Sequence, residues 1–183
     1  MKIKVGVSNR HVHLKQSDLD ILFGGVLTKR NDLSQPLQFA ANEVLTIKTA
    51  KSEISNVRVL GPVRDYTQVE ISKTDAYKLG LNPPVRSSGH LDNSEVVTLI
   101  GPNGSITTDG CIIADRHIHI TYADKEKYNF PDQVQVKIGG EKKGTIEVDV
   151  KPSTEAFFEL HLDTDDANAF LLKNGDEVEI LDF

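Results

Sequence analysis

The stretch Asn9-Arg10-His11-Val12-His13-Leu14 returns 106 residues later as Asp115-Arg116-His117-Ile118-His119-Ile120. Both copies run polar residue, Arg, His, β-branched residue, His, aliphatic. Each then enters a polar stretch with Asp, at Ser17-Asp18 and Ala123-Asp124. A second pair of segments matches at an offset of 91, Glu70-Ile71-Ser72-Lys73-Thr74-Asp75-Ala76 against His161-Leu162-Asp163-Thr164-Asp165-Asp166-Ala167. Strand-rich sequence lies ahead of each, at 43–47 and 57–60 in the first half and at 134–138 and 145–150 in the second. The same order of elements therefore occurs twice. Two copies of about 70 to 80 residues imply paired domains rather than a solenoid.

Alternating apolar and polar residues, with turns such as Gly101-Pro102-Asn103-Gly104 and Gly139-Gly140, predict short β-strands at barrel or sandwich spacing. Helices are short and few: 16–23 with Ser17 as a cap, 74–79 and 165–172, the last two following strands with Ser, Thr or Asp cap chemistry. Residues 175–181 read as turn then strand. The expected fold is mainly β, two related small β-barrels with helical caps joined around residues 83–93. The first repeat spans 1–86, and the connecting segment with the second repeat spans 87–183. Pro83-Pro84-Val85-Arg86-Ser87-Ser88-Gly89 reads equally as a linker or as an ordered ligand loop.

Composition narrows the function. The 183 residues are 38% hydrophobic and 26% charged, which fits compact domains, and no apolar run reaches the roughly 20 residues that cross a bilayer. The start, Met1-Lys2-Ile3-Lys4, lacks the apolar stretch of a secretory signal, so the expected location is cytoplasmic, with no membrane partner. Lys and Arg total 21 against 27 acids, which removes the electrostatic basis for gripping nucleic acid. A lone cysteine, Cys111, excludes an internal disulfide and a thiolate metal cluster. A metal site must draw on His, Asp or Glu.

In a strand, residues i and i+2 share a face, so each His-x-His sets two imidazoles side by side while Val12 or Ile118 faces a core. One such motif is ordinarily a surface or structural feature; two in duplicated positions favour ligands. A catalytic zinc typically has three protein ligands and an open position. The duplication nominates the third ligand, His161 in the second half and its counterpart Glu70 in the first. The expected sets are His11, His13, Glu70 and His117, His119, His161. Two zinc ions from related halves would share a cleft suited to an oxyanion such as phosphate. Arg64, six residues before Glu70, would emerge on the Glu70 face of an extended strand and grip phosphate with its forked guanidinium. His90 has no repeat partner and reads as a loop histidine; Cys111 reads as a small core residue.

The chain resembles the phosphotransacylases of the propanediol-utilisation type, also called phosphate propanoyltransferases. The resemblance rests on Val7-Ser8-Asn9-Arg10-His11-Val12-His13-Leu14, Leu33-Ser34-Gln35-Pro36 with Phe39-Ala40-Ala41, and Gly61-Pro62-Val63-Arg64 leading to Thr67-Gln68-Val69-Glu70. Pro83-Pro84-Val85-Arg86, Arg116-His117-Ile118-His119 and His161-Leu162-Asp163-Thr164-Asp165 extend it over nearly the whole chain. It implies two β-barrels with the active site between them, two zinc ions per chain, reversible acyl transfer between coenzyme A and phosphate, the two triads above as ligands, and Arg64 on the phosphate. It also points to Val7, Ser8, Asn9, Lys51, Arg58 and Asn168 as coenzyme A contacts. Members packaged in microcompartments usually resemble this chain with an added N-terminal amphipathic segment. Here the first strand begins by Ile3, and the expectation is an unencapsulated protein, with a microcompartment location only if such a segment has been trimmed from this sequence.

The implied reaction takes a short-chain acyl-CoA, propanoyl or acetyl, and phosphate to acyl phosphate and free coenzyme A, with phosphate attacking the thioester carbonyl and no Ser or Cys nucleophile required. The same ligand set also supports a zinc hydrolase of a thioester or phosphoester. A third reading is a scaffold carrying structural zinc, for which closed four-ligand sites would speak. On symmetry base rates the oligomer to expect is a homodimer.

Overall fold

The computed structural model describes residues 1–181. In chain order its elements are β1 (Lys2–Ser8), β2 (His11–Lys15), α1 (Gln16–Phe23), β3 (Lys29–Asp32), β4 (Phe39–Lys48), β5 (Glu53–Arg64), β6 (Gln68–Glu70), α2 (Lys73–Leu79), β7 (Val85–Arg86) and β8 (Glu95–Ile100). They continue as β9 (Ser105–Ala114), β10 (His117–Thr121), α3 (Tyr122–Lys127), β11 (Gln133–Ile138), β12 (Gly144–Ser153), β13 (Glu159–Asp163), α4 (Thr164–Ala169) and β14 (Glu177–Ile180). Alternation is cleanest in β11, where Val134, Val136 and Ile138 are buried and Gln133, Gln135 and Lys137 are exposed.

The strands close into two six-membered rings, so the chain is mainly β with two barrels, as expected. One ring runs β1-β13-β10-β12-β11-β14 and returns to β1. The other runs β4-β5-β2-β6-β9-β8 and returns to β4, with β3 added to β4 and β7 to β9. Pairing senses agree strand for strand. β2 is parallel to β5 and antiparallel to β6, as β10 is parallel to β12 and antiparallel to β13. β9 is parallel to β6 and antiparallel to β8, as β1 is to β13 and β14. Full closure removes open edges in each ring. Separate aliphatic cores fill them, one around Val12, Leu14, Ile47, Val59 and Leu99, the other around Val5, Ile118, Val136, Leu160 and Leu162. Each such buried side chain is worth about 1.5–3 kcal/mol.

A division at residue 86 is not the one the contacts draw. One compact unit is residues 1–9 with residues 115 onward, and the other is Arg10–Ala114. β1 opens the first repeat in sequence but pairs with β13 and β14, and β9 opens the second repeat but pairs with β6 and β8. Each repeat thus gives its first strand to the other repeat's barrel. Alternation reveals that a strand has a buried face, which either core would satisfy; its register partner is a long-range choice that pattern does not encode.

The segment 83–93 is an ordered arm rather than a free connection. β7 pairs in parallel with β9, Val85 opposite Ile113 and Arg86 opposite Ala114. Helix α1 has the expected span, but Lys15 is its N-cap and makes no side-chain cap hydrogen bond, in place of Ser17. Helix α4 stops at Ala169, three residues before the expected end, and Leu171 takes a left-handed φ of 56°. Helix α3 went unexpected because six residues show no period; its start is fixed by Thr121, whose hydroxyl accepts the Asp124 N–H at 3.0 Å. Ten of the 15 residues by which the offset falls from 106 to 91 lie between α1 and β4, where residues 24–38 include β3, against residues 128–132 between α3 and β11.

Candidate metal centre

Register builds the two triads. In the Arg10–Ala114 unit His11 lies directly opposite Glu70 across the antiparallel β2/β6 pair, and in the other unit His117 lies opposite His161 across β10/β13. The second histidine of each motif, two residues on, shares that face. In both triads one ligand atom from each side chain lies within 4.8 Å of the other two. His11 Nε2 stands 3.3 Å from Glu70 Oε2, and His13 Nε2 stands 4.0 Å from Glu70 Oε1. His117 Nε2 and His119 Nε2 approach to 3.1 Å. Val12 and Ile118, between the paired histidines, are wholly buried and anchor each motif in its core.

The electrostatics suit a divalent cation. Burial first, then the neighbouring His11 and Arg64, hold His13 well below the usual imidazole pKa, so its ring is neutral and offers a lone pair. Its buried Nδ1 has no hydrogen-bond partner of normal geometry among the described residues. Burial alone would push the Glu70 carboxyl up; His11, by charge and hydrogen bond, then His13 and Arg64, overcome it and keep the carboxyl well below the ordinary range. In the other triad His117 Nδ1 lies 2.8 Å from the Asp115 carbonyl. An N–H donated there leaves Nε2 as the lone pair, facing His119. Imidazoles with or without a carboxylate, in sets of three, are a zinc-type donor set that leaves a coordination position open.

A matched ion pair braces each motif. Arg10 Nε donates to Asp75 Oδ2 at 2.8 Å, and Arg116 Nε donates to Asp166 Oδ2 at 2.9 Å with Nη2 2.7 Å from Oδ1. Each Asp sits in the first turn of the helix after the third-ligand strand, where Ser72 or Asp163 caps its backbone N–H. The clamp ties the residue before the first histidine to the element after the third ligand.

Arg64 is beside its triad for a different reason from the one its spacing suggests. It ends β5, opposite Lys15 of β2, and the chain turns before Glu70 on β6 at the other side of β2, so strand parity does not connect them. It nonetheless influences both His13 and Glu70. Arg64 Nη1 donates to Ser88 Oγ at 3.0 Å and to the Tyr66 hydroxyl at 3.4 Å. Gln68, fully buried, binds the same arm: its Nε2 donates to Ser88 Oγ at 2.9 Å and to Glu70 Oε1 at 2.5 Å, and its Oε1 accepts the Gly89 N–H at 2.8 Å. The 83–89 loop is therefore latched to the triad through Ser88 and Gly89. Sequence reading missed Gln68, Ser88 and Glu159. Gln68 and Glu159 occupy equivalent places at the 91-residue offset, the signal that would have found them.

Other expected residues are placed as follows. Ser8 lies opposite Asp163, the N-cap of the helix carrying the exposed Asn168, and the Val7 N–H donates to Asn174 Oδ1 at 3.1 Å. Asn9 follows β1. Lys51 donates to the Tyr77 carbonyl at 2.9 Å and covers the Tyr77 ring. Arg58, opposite His11 on β5, spends Nη1 on the Ala41 and Asn42 carbonyls, both at 3.0 Å. His90 is exposed on its loop, and Arg86 is occupied by the backbone of Asp92 and Val85. Cys111 is wholly buried, and burial first, then Glu95, pushes its thiol up to about 12.

The sequence pattern of the phosphate propanoyltransferase family matches residues 4–173. The chain belongs to that family, a family of acyltransferases. It is 48% identical to the phosphate propanoyltransferase of Thermotoga maritima over 99% of this chain and 90% of that protein. To that of Priestia megaterium it is 51% identical over 95% and 83%, and to that of Rhodopseudomonas palustris 45% over 98% and 82%. Among the described residues no helix is long and apolar enough to cross a membrane.

Proposed function

We propose that this family member exchanges a short acyl group, propanoyl or acetyl, between coenzyme A and phosphate, with zinc held by His11, His13 and Glu70 and a second zinc by His117, His119 and His161. The observation that carries this reading is the joining of a three-residue donor set to Arg64, a partly exposed arginine that lies over the Tyr66 ring and whose side-chain hydrogen bonds to Tyr66 and Ser88 both run through Nη1. Zinc bound there would supply Lewis-acid polarisation and a thiophilic charge. Arg64, steadied by Ser88, presents its remaining N–H donors to phosphate oxygens and holds the anion in place for attack. A phosphate oxygen then forms a bond to the thioester carbonyl carbon, the C–S bond breaks, and the sulfur departs with the electron pair to become the coenzyme A thiol on protonation. Nothing in this sequence calls on Cys111, whose buried thiol stays protonated. The exposed Asn168 is the coenzyme A contact that needs least rearrangement; Lys51 would first have to leave the Tyr77 carbonyl.

The test is thiol release from propanoyl-CoA and acetyl-CoA with and without phosphate, before and after chelation. Release that requires phosphate and is lost on removal of metal supports the reading. Phosphate-independent release would make the protein a thioesterase. Metal content without any turnover would leave the scaffold reading.

A further inference from the structure

Each third ligand has a polar companion two residues earlier on the same strand, hence on the same face: Gln68 before Glu70, and Glu159 before His161. The companions are chemical opposites, as are the ligands. Glu70 can only accept, and Gln68 Nε2 donates to its Oε1 at 2.5 Å, which leaves Oε2 on the side of His11 Nε2, 3.3 Å away. His161 has an N–H to give once one ring nitrogen serves as a lone pair, and its Nε2 lies 2.8 Å from Glu159 Oε2. Both companions are buried.

A third strand accommodates this exchange. Gly6 of β1 is opposite His161, and in the other barrel Ile112 of β9 is opposite Glu70, the same place in the ring. A Cβ at Gly6 would lie 2.9 Å from Glu159 Cδ, from Glu159 Oε2 and from His161 Cδ2. Ile112, by contrast, is wholly buried where Gln68 turns instead to Ser88 and Gly89. The glycine is the space into which the Glu159 carboxylate and the His161 ring fit.

We infer that Gln68 and Glu159 are the positioning residues of the two metal sites, Gln68 acting through Glu70 and Glu159 through His161. The inference rests on the reading of the triads as metal sites. A hydrogen bond from Nε2–H to Glu159 would leave Nδ1 as the metal-binding nitrogen of His161, the carboxylate–histidine arrangement that orients a ligand. Each site then carries one carboxylate, as a ligand in one barrel and behind a ligand in the other.

The experiment uses the full chain loaded with zinc, freed of excess, and read by ion content and by the rate of zinc release to a chromophoric chelator. The wild type should hold two ions. Glu159→Gln should release one of them about 10–100-fold faster and leave the other unchanged. Glu159→Gln combined with His161→Glu, which copies the Gln-x-Glu arrangement of the other barrel, should slow that release again. The double variant also serves if the single variant does not fold, since it must hold two ions for the inference to stand. Wild-type release of both ions from Glu159→Gln, or equal acceleration of both, overturns it. A wild type that holds no zinc instead overturns the metal reading on which it rests, a distinct result.

Discussion

The two barrels share a plan and differ in what they do with it. Ring order, pairing sense, the His opposite the third ligand, and the Arg–Asp clamp are all repeated. At the position where β5 pairs with the end of β2, one barrel has Arg64 opposite Lys15, while the other has Ser153 opposite Thr121. Ser153 donates to the Glu155 carbonyl, whereas Arg64 reaches Ser88 on the 83–89 arm. Duplication therefore preserved two donor sets but placed an arginine at this position in one barrel and a serine in the other. On the proposed function, the barrel with the carboxylate ligand is also the one whose Arg64 would hold phosphate; His11 first, then His13 and Arg64, keep the Glu70 carboxyl depressed there.

The sharpest way to break that comparison is at its asymmetric position. Arg64→Ala should lower phosphate-dependent turnover by about 100–1,000-fold, the range seen when a preorganised donor is removed, with zinc content unchanged. Ser153→Ala, at the equivalent place, should leave turnover within about twofold. Equal effects at both positions would mean that the asymmetry is not functional. Steady-state rates at varied phosphate, with zinc analysis of each variant, make the measurement.

The exchanged strands give the next test. Ile112→Ala should destabilise its barrel by about 2–5 kcal/mol, the usual cost of emptying an aliphatic site. Gly6→Ala, at the equivalent place, acts in the opposite sense, by crowding, and should cost about 1–3 kcal/mol and displace Glu159. Denaturant unfolding of the zinc-free proteins separates the two. A stabilising Gly6→Ala would show that the glycine is not there to admit the carboxylate.

The clamps predict a smaller difference. Asp75 is more deeply buried than Asp166, with side-chain exposure of 7% against 18%. Asp75→Asn should therefore cost more than Asp166→Asn, about 2–3 against about 1–2 kcal/mol. Reversal of that order in urea unfolding would mean that burial does not set the strength of the clamp.

What the sequence disclosed follows the same division. His11, His13, His117 and His119 were legible because an i, i+2 pair of imidazoles is a chemical pattern, and its recurrence at a fixed offset exposed Glu70 and His161 as equivalents. The barrel class was legible from alternation in segments such as β11 and β12. The exchange of β1 and β9 was not, since a strand's pattern names its buried face and not its neighbour. Gln68 and Glu159 were hidden because a buried amide and a buried carboxylate look like any surface residue until the fold supplies their partners. Arg64 was nominated through a parity argument that the turn after β5 invalidates.

The mildest prediction concerns position 111. Cys111 is opposite Val69 in β9, and the corresponding place in the other barrel is Val5, opposite Leu160 in β1. Both side chains are wholly buried, but only the thiol can ionise. Burial and Glu95 raise its folded pKa from 9.0 to about 12. Between those values the unfolded chain has lost a proton that the folded one retains, so stability falls as pH rises through about 9 and stops falling near 12, and nothing is lost at neutral pH. The slope within that window is at most about 1.4 kcal/mol per pH unit. Cys111→Val makes the two barrels alike at this place. It should remove that alkaline slope from the Arg10–Ala114 unit while leaving stability near pH 7 within about 1.5 kcal/mol, as a near volume-conserving exchange does. Urea midpoints of wild type and variant at pH 7, 9 and 10.5 decide it: parallel curves across the range would mean that the thiol ionises as readily in the barrel as in the open chain, and that burial there is not the barrier to reaction that keeps Cys111 out of the chemistry.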